Sequence, residues 1–262
     1  MAVEQLAADY AGQPVLLLEH DVDNPVGSRY GRWWAAYGSG SVTLPMIMVG
    51  SGHQITNGYL DFETVYSQMI DAELARPPEA TVTARYRREG DQLHFEVTVT
   101  NQSGVGLGWE NSGTVGVIVY EETQVALTGR FVRDNVSQLL TTSLNAGDSA
   151  TYTLTSASLT GVDWDQIRAV AYVEYRPAGS QAYDMLQAAV PVQATLQTAP
   201  DSVVVMVPTG ATASVTRTLA LTGAGWETWT INAGTLPSWL ALSQTSGAAG
   251  VNPAPMPGRP TC

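Results

Sequence analysis

The spacing of apolar positions changes partway along this chain, and the change divides it into parts. In residues 2–10, Val3, Leu6 and Ala7 recur at helical spacing and read as the end of a helix. Pro14 and the apolar run Val15–Leu18 follow, closed by the polar turn His20-Asp21-Val22-Asp23-Asn24-Pro25. That is the pattern of a short buried parallel strand. Ser28 is placed to cap a helix over Arg29–Tyr37, which Gly38 and Gly40 end. Pro45–Val49 is a second apolar strand. Gly50-Ser51-Gly52 turns it into a strand over His53–Thr56, and Asn57-Gly58 breaks that strand. Asp61 caps a helix with Phe62, Val65, Met69, Ile70 and Leu74 on one face. Pro77-Pro78 then makes a stiff linker.

From Glu79 onward the period becomes two. Ala80–Tyr86, Gln92–Thr100, Thr114–Tyr120, Ala150–Leu154 and Arg168–Tyr175 are rich in Val, Thr and Tyr. Glu89-Gly90-Asp91, Asn101–Gly108, Asn145–Asp148 and Pro177–Gly179 separate them as turns. Short strands with turns between them predict an immunoglobulin- or fibronectin-like β-sandwich over residues 79–194. A further all-β stretch covers 198–250, with strands expected over Ser202–Val207, Ser214–Leu221 and Trp229–Ile231. The proline-rich tail 251–262 has no alternation and is expected to be disordered.

Composition narrows the chemistry. Hydrophobic residues make up 44% of the 262, enough for ordinary cores. No apolar run is long enough for a membrane helix, and no basic segment precedes the first apolar stretch as in a signal peptide. The formal charge is −12, which disfavours phosphate-neutralising contact with nucleic acid. The one basic cluster, Arg85, Arg87 and Arg88, alternates on a strand and reads as a solvated face. All 12 basic residues are arginine. The absence of lysine excludes P-loop, Schiff-base and SxxK chemistry, each of which needs an ammonium or amine. The single cysteine, Cys262, allows neither an internal disulfide nor a CxxC pair. Scarcity of free thiols suits an exported protein.

Thr43-Leu44-Pro45-Met46-Ile47-Met48-Val49-Gly50-Ser51-Gly52-His53-Gln54-Ile55 resembles the cis-proline segment of the thioredoxin family, and Val15–Asp23 resembles the strand before it. The likeness covers residues 1 to about 75. It implies that Leu44 and Pro45 contact a substrate chain beside a dithiol. The family's CxxC and its central strand fall before Met1, so residues 1–76 are expected to be a partial thioredoxin-like domain that is strained, repacked or only marginally stable alone. Val162–Val173 and Asp184–Ala189 resemble the last sandwich strands attached to secreted thioredoxin-like proteins. Pro237-Ser238-Trp239-Leu240-Ala241-Leu242-Ser243-Gln244-Thr245-Ser246-Gly247 resembles the corresponding segment of BACON-type modules, with Trp226 and Trp229 at positions where those modules carry aromatics. The expected fold is thus multidomain, α/β plus all-β: a partial thioredoxin-like unit, then immunoglobulin-like sandwiches, the last an incomplete BACON-like module. The expected role is a non-catalytic fragment of an exported bacterial multidomain protein, its sandwiches acting as spacers or as adhesion modules for a protein or glycan. The alternative is the C-terminal part of a cell-envelope thiol–disulfide oxidoreductase.

Other motifs read as structural. His20, His53 and His94 lie on separate strands without the spacing of a zinc site. Asp21, Asp23 and Asn24 lack the glycine and distal glutamate of a calcium loop. Glu121-Glu122 and Asp163/Asp165 read as solvated loops, and Gly104–Gly108 as a loop between strands. No metal, cofactor or catalytic residue is expected. Of Trp33 and Trp34, adjacent on a helix, at least one faces a core. Trp226, Trp229 and Trp239 are the candidate ligand platform, although Trp239 also suits a core position.

Overall fold

The alternation beyond residue 79 closes into two four-stranded antiparallel sheets in a computed structural model. That structure describes residues 2–23, 26–27, 29–38, 44–57, 61–125, 129–194, 197–199, 216–222, 228–238 and 240–248. In chain order the first elements are α1 (Ala2–Asp9), α2 (Arg29–Tyr37), β1 (Met46–Val49), β2 (Gln54–Asn57) and α3 (Phe62–Leu74). Then come β3 (Ala80–Glu89), β4 (Gln92–Asn101), β5 (Thr114–Glu121), β6 (Phe131–Leu139), β7 (Ser149–Thr155), β8 (Ile167–Tyr175), β9 (Asp184–Ala189) and β10 (Val192–Gln193). One sheet has the order β10-β3-β4-β7 and the other β6-β5-β8-β9. The chain is β-rich, with five sheets among the described residues.

The core lies between the two larger sheets. Val82, Phe95, Val97, Val99 and Leu154 from one sheet meet Val115, Val117, Val119, Ala171 and Val173 from the other. The outer face of the first sheet is solvated, and its central strand β4 alternates without a break between buried and half-buried positions. The second sheet differs. Every residue of β5 is buried, and β8 is buried at six of its nine positions. A strand that is apolar on both faces needs cover on both.

That cover comes from residues 2–74. α1 and α3 enclose a small core of Leu6, Tyr10, Tyr66 and Ile70, with Ile47 and Val49 of β1 packed against it. Leu18 and Val26 pack onto Ile118, Val132 and Tyr172 on the outer face of the second sheet. The N-terminal residues therefore pack onto the β-sheet, and everything up to Val192 forms one compact unit. Val15–Leu18 is extended but makes no ladder. Just after it, among the described residues, a parallel bridge joins Glu19 to Phe131 of β6, closed by Glu19 N–H to Arg130 O at 2.9 Å and Val132 N–H to Glu19 O at 2.9 Å. Among the described residues, β1 pairs only with β2.

Other readings shift in detail. β6 breaks the alternation because β5 and β6 slip register between Val119 and Tyr120, leaving Arg133 as the extra residue. Consecutive Asp134 and Asn135 are then both buried. Glu121 is not solvated. It is buried, held by Arg133 Nε at 2.7 Å and by the Asp163 backbone N–H at 2.8 Å. The Arg85–Arg88 cluster is paired: Arg85 with Glu96 at 2.6 Å, Arg87 with Glu89 at 3.1 Å, and Arg88 over the Trp164 ring at 3.6 Å. Asp61 precedes α3 in a left-handed conformation and makes no side-chain cap.

Residues 193–262 form a second compact unit. It contains β11 (Gln197–Ala199) paired with β12 (Ala220–Thr222), and β13 (Thr228–Thr230) paired with β14 (Ser246–Ala248). The expected strand at 202–207, the tail 251–262 and the Ser28 cap lie outside the described residues.

Gly116 in β5 stands opposite Tyr172 of β8. A Cβ at 116 would lie 2.4 Å from Cζ of the Tyr172 ring. Gly116→Ala is expected to destabilise the protein by about 1–3 kcal/mol, as overpacking does. The check is the urea midpoint of the variant.

Candidate functional site

The densest polar chemistry lies where Leu18, Val26 and α2 meet the second sheet. Positions three apart on a helix share a face, so α2 presents Arg29 and Arg32 together. Both reach Glu174 near the end of β8. Arg29 Nη1 donates to Glu174 Oε2 at 2.8 Å. Arg32 Nη2 lies 2.5 Å from Glu174 Oε1, as an ion pair rather than an aligned hydrogen bond. Glu174 has no exposed surface, and Arg29 only 2%. Arg29 also donates to Ser51 Oγ at 2.5 Å and stacks over the Tyr172 ring, 4.3 Å from its centroid. Arg32 stacks over Tyr183 at 4.1 Å.

Local backbone delivers these groups. Ser51 takes a left-handed φ of 64° between Gly50 and Gly52, which are left-handed too. This turn brings the hydroxyl to Arg29. Gly27 lies so close to β6 that a Cβ there would be 2.4 Å from the Asn135 carbonyl oxygen. Asn135 in turn donates through Nδ2 to Tyr172 Oη at 3.2 Å. Burial alone works against the Arg29 charge, but Glu174 and Tyr172 more than offset it, so the guanidinium holds its proton more tightly than usual. A second link lies at the end of α3. Arg76 grips Asp184 of β9 with two bonds, 2.8 and 3.0 Å, and bonds Glu73 at 2.9 Å. The hydrogen bonds to Asp184 raise the Arg76 pKa further. Each of these charges has a protein partner, so the arrangement fastens elements together.

The residues singled out in the sequence fall elsewhere. The Leu44–Pro45 peptide is cis; Leu44 is exposed and Pro45 half-buried at the start of β1. Trp229 is half-buried on β13, facing Gly247 of β14, where a Cβ would lie 3.1 Å from the indole. Trp226 and Trp239 lie outside the described residues. The three histidines are not brought together. His20 packs edge-on against Trp33 with ring centroids 4.4 Å apart, His53 meets Glu73, and His94 contacts Thr155 at 3.1 Å. Among the described residues no three His, Cys, Asp or Glu side chains are grouped to hold a metal ion. No helix among them is long and apolar enough to cross a membrane.

Sequence reading passed over Trp109, which is 68% exposed. The available signal was its place directly after the Gly104–Gly108 loop, where no strand or helix pattern would bury it.

No protein-family model matches the chain, and no curated protein matches it. Among solved structures it is similar to HBP35 of Porphyromonas gingivalis at 11% identity, over 79% of this chain and 70% of that one, with a TM-score of 0.47. It is similar to a domain of the outer membrane lipoprotein Omp28 from Porphyromonas gingivalis at 15% identity, over 45% of this chain and 91% of that one, with a TM-score of 0.31. A third is beta-glucosidase 3B from Thermotoga neapolitana, at 13% identity over 42% of this chain and 15% of that one, with a TM-score of 0.25. Likeness this loose says nothing about function.

Glu174→Gln leaves Arg29 and Arg32 without a buried counter-charge and is expected to cost about 3–5 kcal/mol. Replacing all three residues by methionine is expected to recover much of that loss. Denaturant unfolding of both variants tests this, and equal losses would show that shape rather than charge matters there. A second prediction concerns pH. Burial, aided by the charge of Arg29, pushes the His20 imidazole from 6.5 down to about 3. Between those values the unfolded chain takes up a proton that the folded chain refuses, so stability falls as pH drops from about 6.5 toward 3. His20→Gln is expected to flatten this slope of urea midpoint against pH.

Proposed function

We propose that this chain has a non-catalytic, extracytoplasmic role in which a thioredoxin-like layer and an immunoglobulin-like sandwich act as one stiff module, a BACON-like module following. The stiff module spaces or presents binding surfaces for a protein or glycan. The observation that carries this reading is the buried link from Arg29 and Arg32 to Glu174. A redox domain that must admit substrate chains gains nothing from having its helix bound by charge to the neighbouring sheet. A spacer or presenting module gains rigidity from it. The scarcity of thiols and the acidic surface support a place outside the cytoplasm, and the solvated outer face of the first sheet supports a module that displays its surface.

The test is a panel of immobilised glycans and peptides probed with the full chain. Weak, saturable binding without chemical change of the ligand is expected. No binding at all leaves the spacer role alone, and conversion of any ligand into product sinks the non-catalytic reading.

A further inference from the structure

Strands β4, β6 and β8 all end at the same pole of the sandwich, because each pairs antiparallel to β5 or lies in the facing sheet. Three connections therefore cluster there: 102–113, 140–148 and 176–183. They are tied to one another. Leu107 and Leu144 exchange backbone hydrogen bonds of 2.9 and 2.8 Å, and Arg176 N–H donates to Asn111 O at 2.8 Å.

The first connection is held from within by buried Asn101. Its Nδ2 donates to the carbonyls of Val105 at 2.8 Å and Leu144 at 2.9 Å, and its Oδ1 accepts from the Ser103 N–H at 2.9 Å. Asn111 closes the next turn, donating to Gly106 O at 2.9 Å and accepting from Gly108 N–H at 3.0 Å. Leu107 plugs the core with no exposed surface. At the tip of this fixed loop Trp109 holds its indole 68% exposed. Trp109 is the largest apolar side chain left exposed among the described residues.

Beside it, Glu110 and Asn111 form one wall of an open groove of about 270 Å³, whose other wall is Arg176–Gln181. Among the described residues, the side chains of Glu110, Arg176 and Gln181 have no ion pair or hydrogen bond. The groove thus offers a cationic donor, an anionic acceptor and an amide, and Trp109 directly precedes its Glu110 wall in the chain.

We propose that this loop pole is a binding site for a neutral oligosaccharide, with one sugar ring stacked on Trp109 and neighbouring hydroxyls bonded to Arg176, Glu110 and Gln181. This rests on the binding role proposed above and gives it a place and a ligand class. Charge complementarity selects the ligand. An anion meets Glu110 and a chain of formal charge −12, a cation meets Arg176, and an apolar partner would bury both charges unpaired. Sugar hydroxyls both donate and accept, and a sugar's C–H face suits an indole. Because the loop is already ordered, little conformational entropy is lost on binding.

The experiment is isothermal titration of the full chain with cellohexaose, xylohexaose, laminarihexaose, maltohexaose and chitohexaose. At least one is expected to saturate. Trp109→Ala and Arg176→Gln are each expected to weaken it about tenfold or more, while Trp33→Phe leaves it unchanged. Both altered side chains are exposed, and a thermal melt shows whether either variant has lost its fold; if one has, the other carries the comparison. The proposal is overturned if none of the five sugars binds, or if binding is unchanged in both folded variants. Peptide binding without sugar binding also overturns it while leaving the binding role intact. Absence of both overturns it and reduces that role to spacing.

Discussion

The structure depends on a sheet that cannot stand with one face in water. In β5 and β8 the inward residues Val115, Val117, Val119, Ala171 and Val173 form the core between the sheets. The outward residues Ile118 and Tyr172 are just as fully buried, under Leu18 and Val26. Uncovering that second face would expose apolar area worth roughly 25 cal/mol per Å². This gives Leu18 and Val26 their place. It also explains why they pack on the sheet's face, when Val15–Leu18 by itself reads as a strand. The edge contact, Glu19 with Phe131, comes as the segment passes β6.

Apolar contact alone would let α2 rotate or slide over the sheet. The charges remove that freedom. Arg29 and Arg32 converge on one carboxylate, and Arg29 is also fixed by Ser51 and by the Tyr172 ring. A buried ion pair is a weak source of net stability, because desolvation consumes most of the attraction. Its effect is to make every other orientation costly, since any shift leaves a guanidinium or carboxylate buried without a partner. The layering is apolar in origin, and its register is ionic. Arg76 with Asp184 repeats the device at the end of α3.

Much of the strand order was legible because it rests on local alternation. β3, β4, β7 and β8 follow the expected spans closely, and the Asp184–Ala189 strand was anticipated too. β6 was not, because the bulge at Arg133 breaks its period and Asp134 and Asn135 are polar yet buried. Their partners, Ala157 N–H at 2.7 Å and Tyr172 Oη at 3.2 Å, are remote in sequence. Glu121 reads as solvated in the sequence for the same reason, since its burial depends on Arg133 and Asp163. Of the candidate site, Leu44, Pro45 and Trp229 were named from local resemblance. Glu174 could not be, because a glutamate at a strand end looks solvated until the helix that covers it is placed.

The same reasoning separates the two polar regions of residues 1–192. At the seam, the charges of Arg29, Arg32 and Glu174 are paired with one another, and their chemistry is spent on holding the layers in register. At the loop pole the turns are satisfied locally: Asn101, Ser103 and Asn111 bond the first connection, and Asp148 bonds Asn145 in the second. The larger side chains, Trp109, Glu110 and Arg176, are left out of that network. A loop that needed those side chains for its own order would have drawn them inward. Here order is complete without them, so they can be substituted with little effect on the fold, and any ligand that engages them meets a surface already in place.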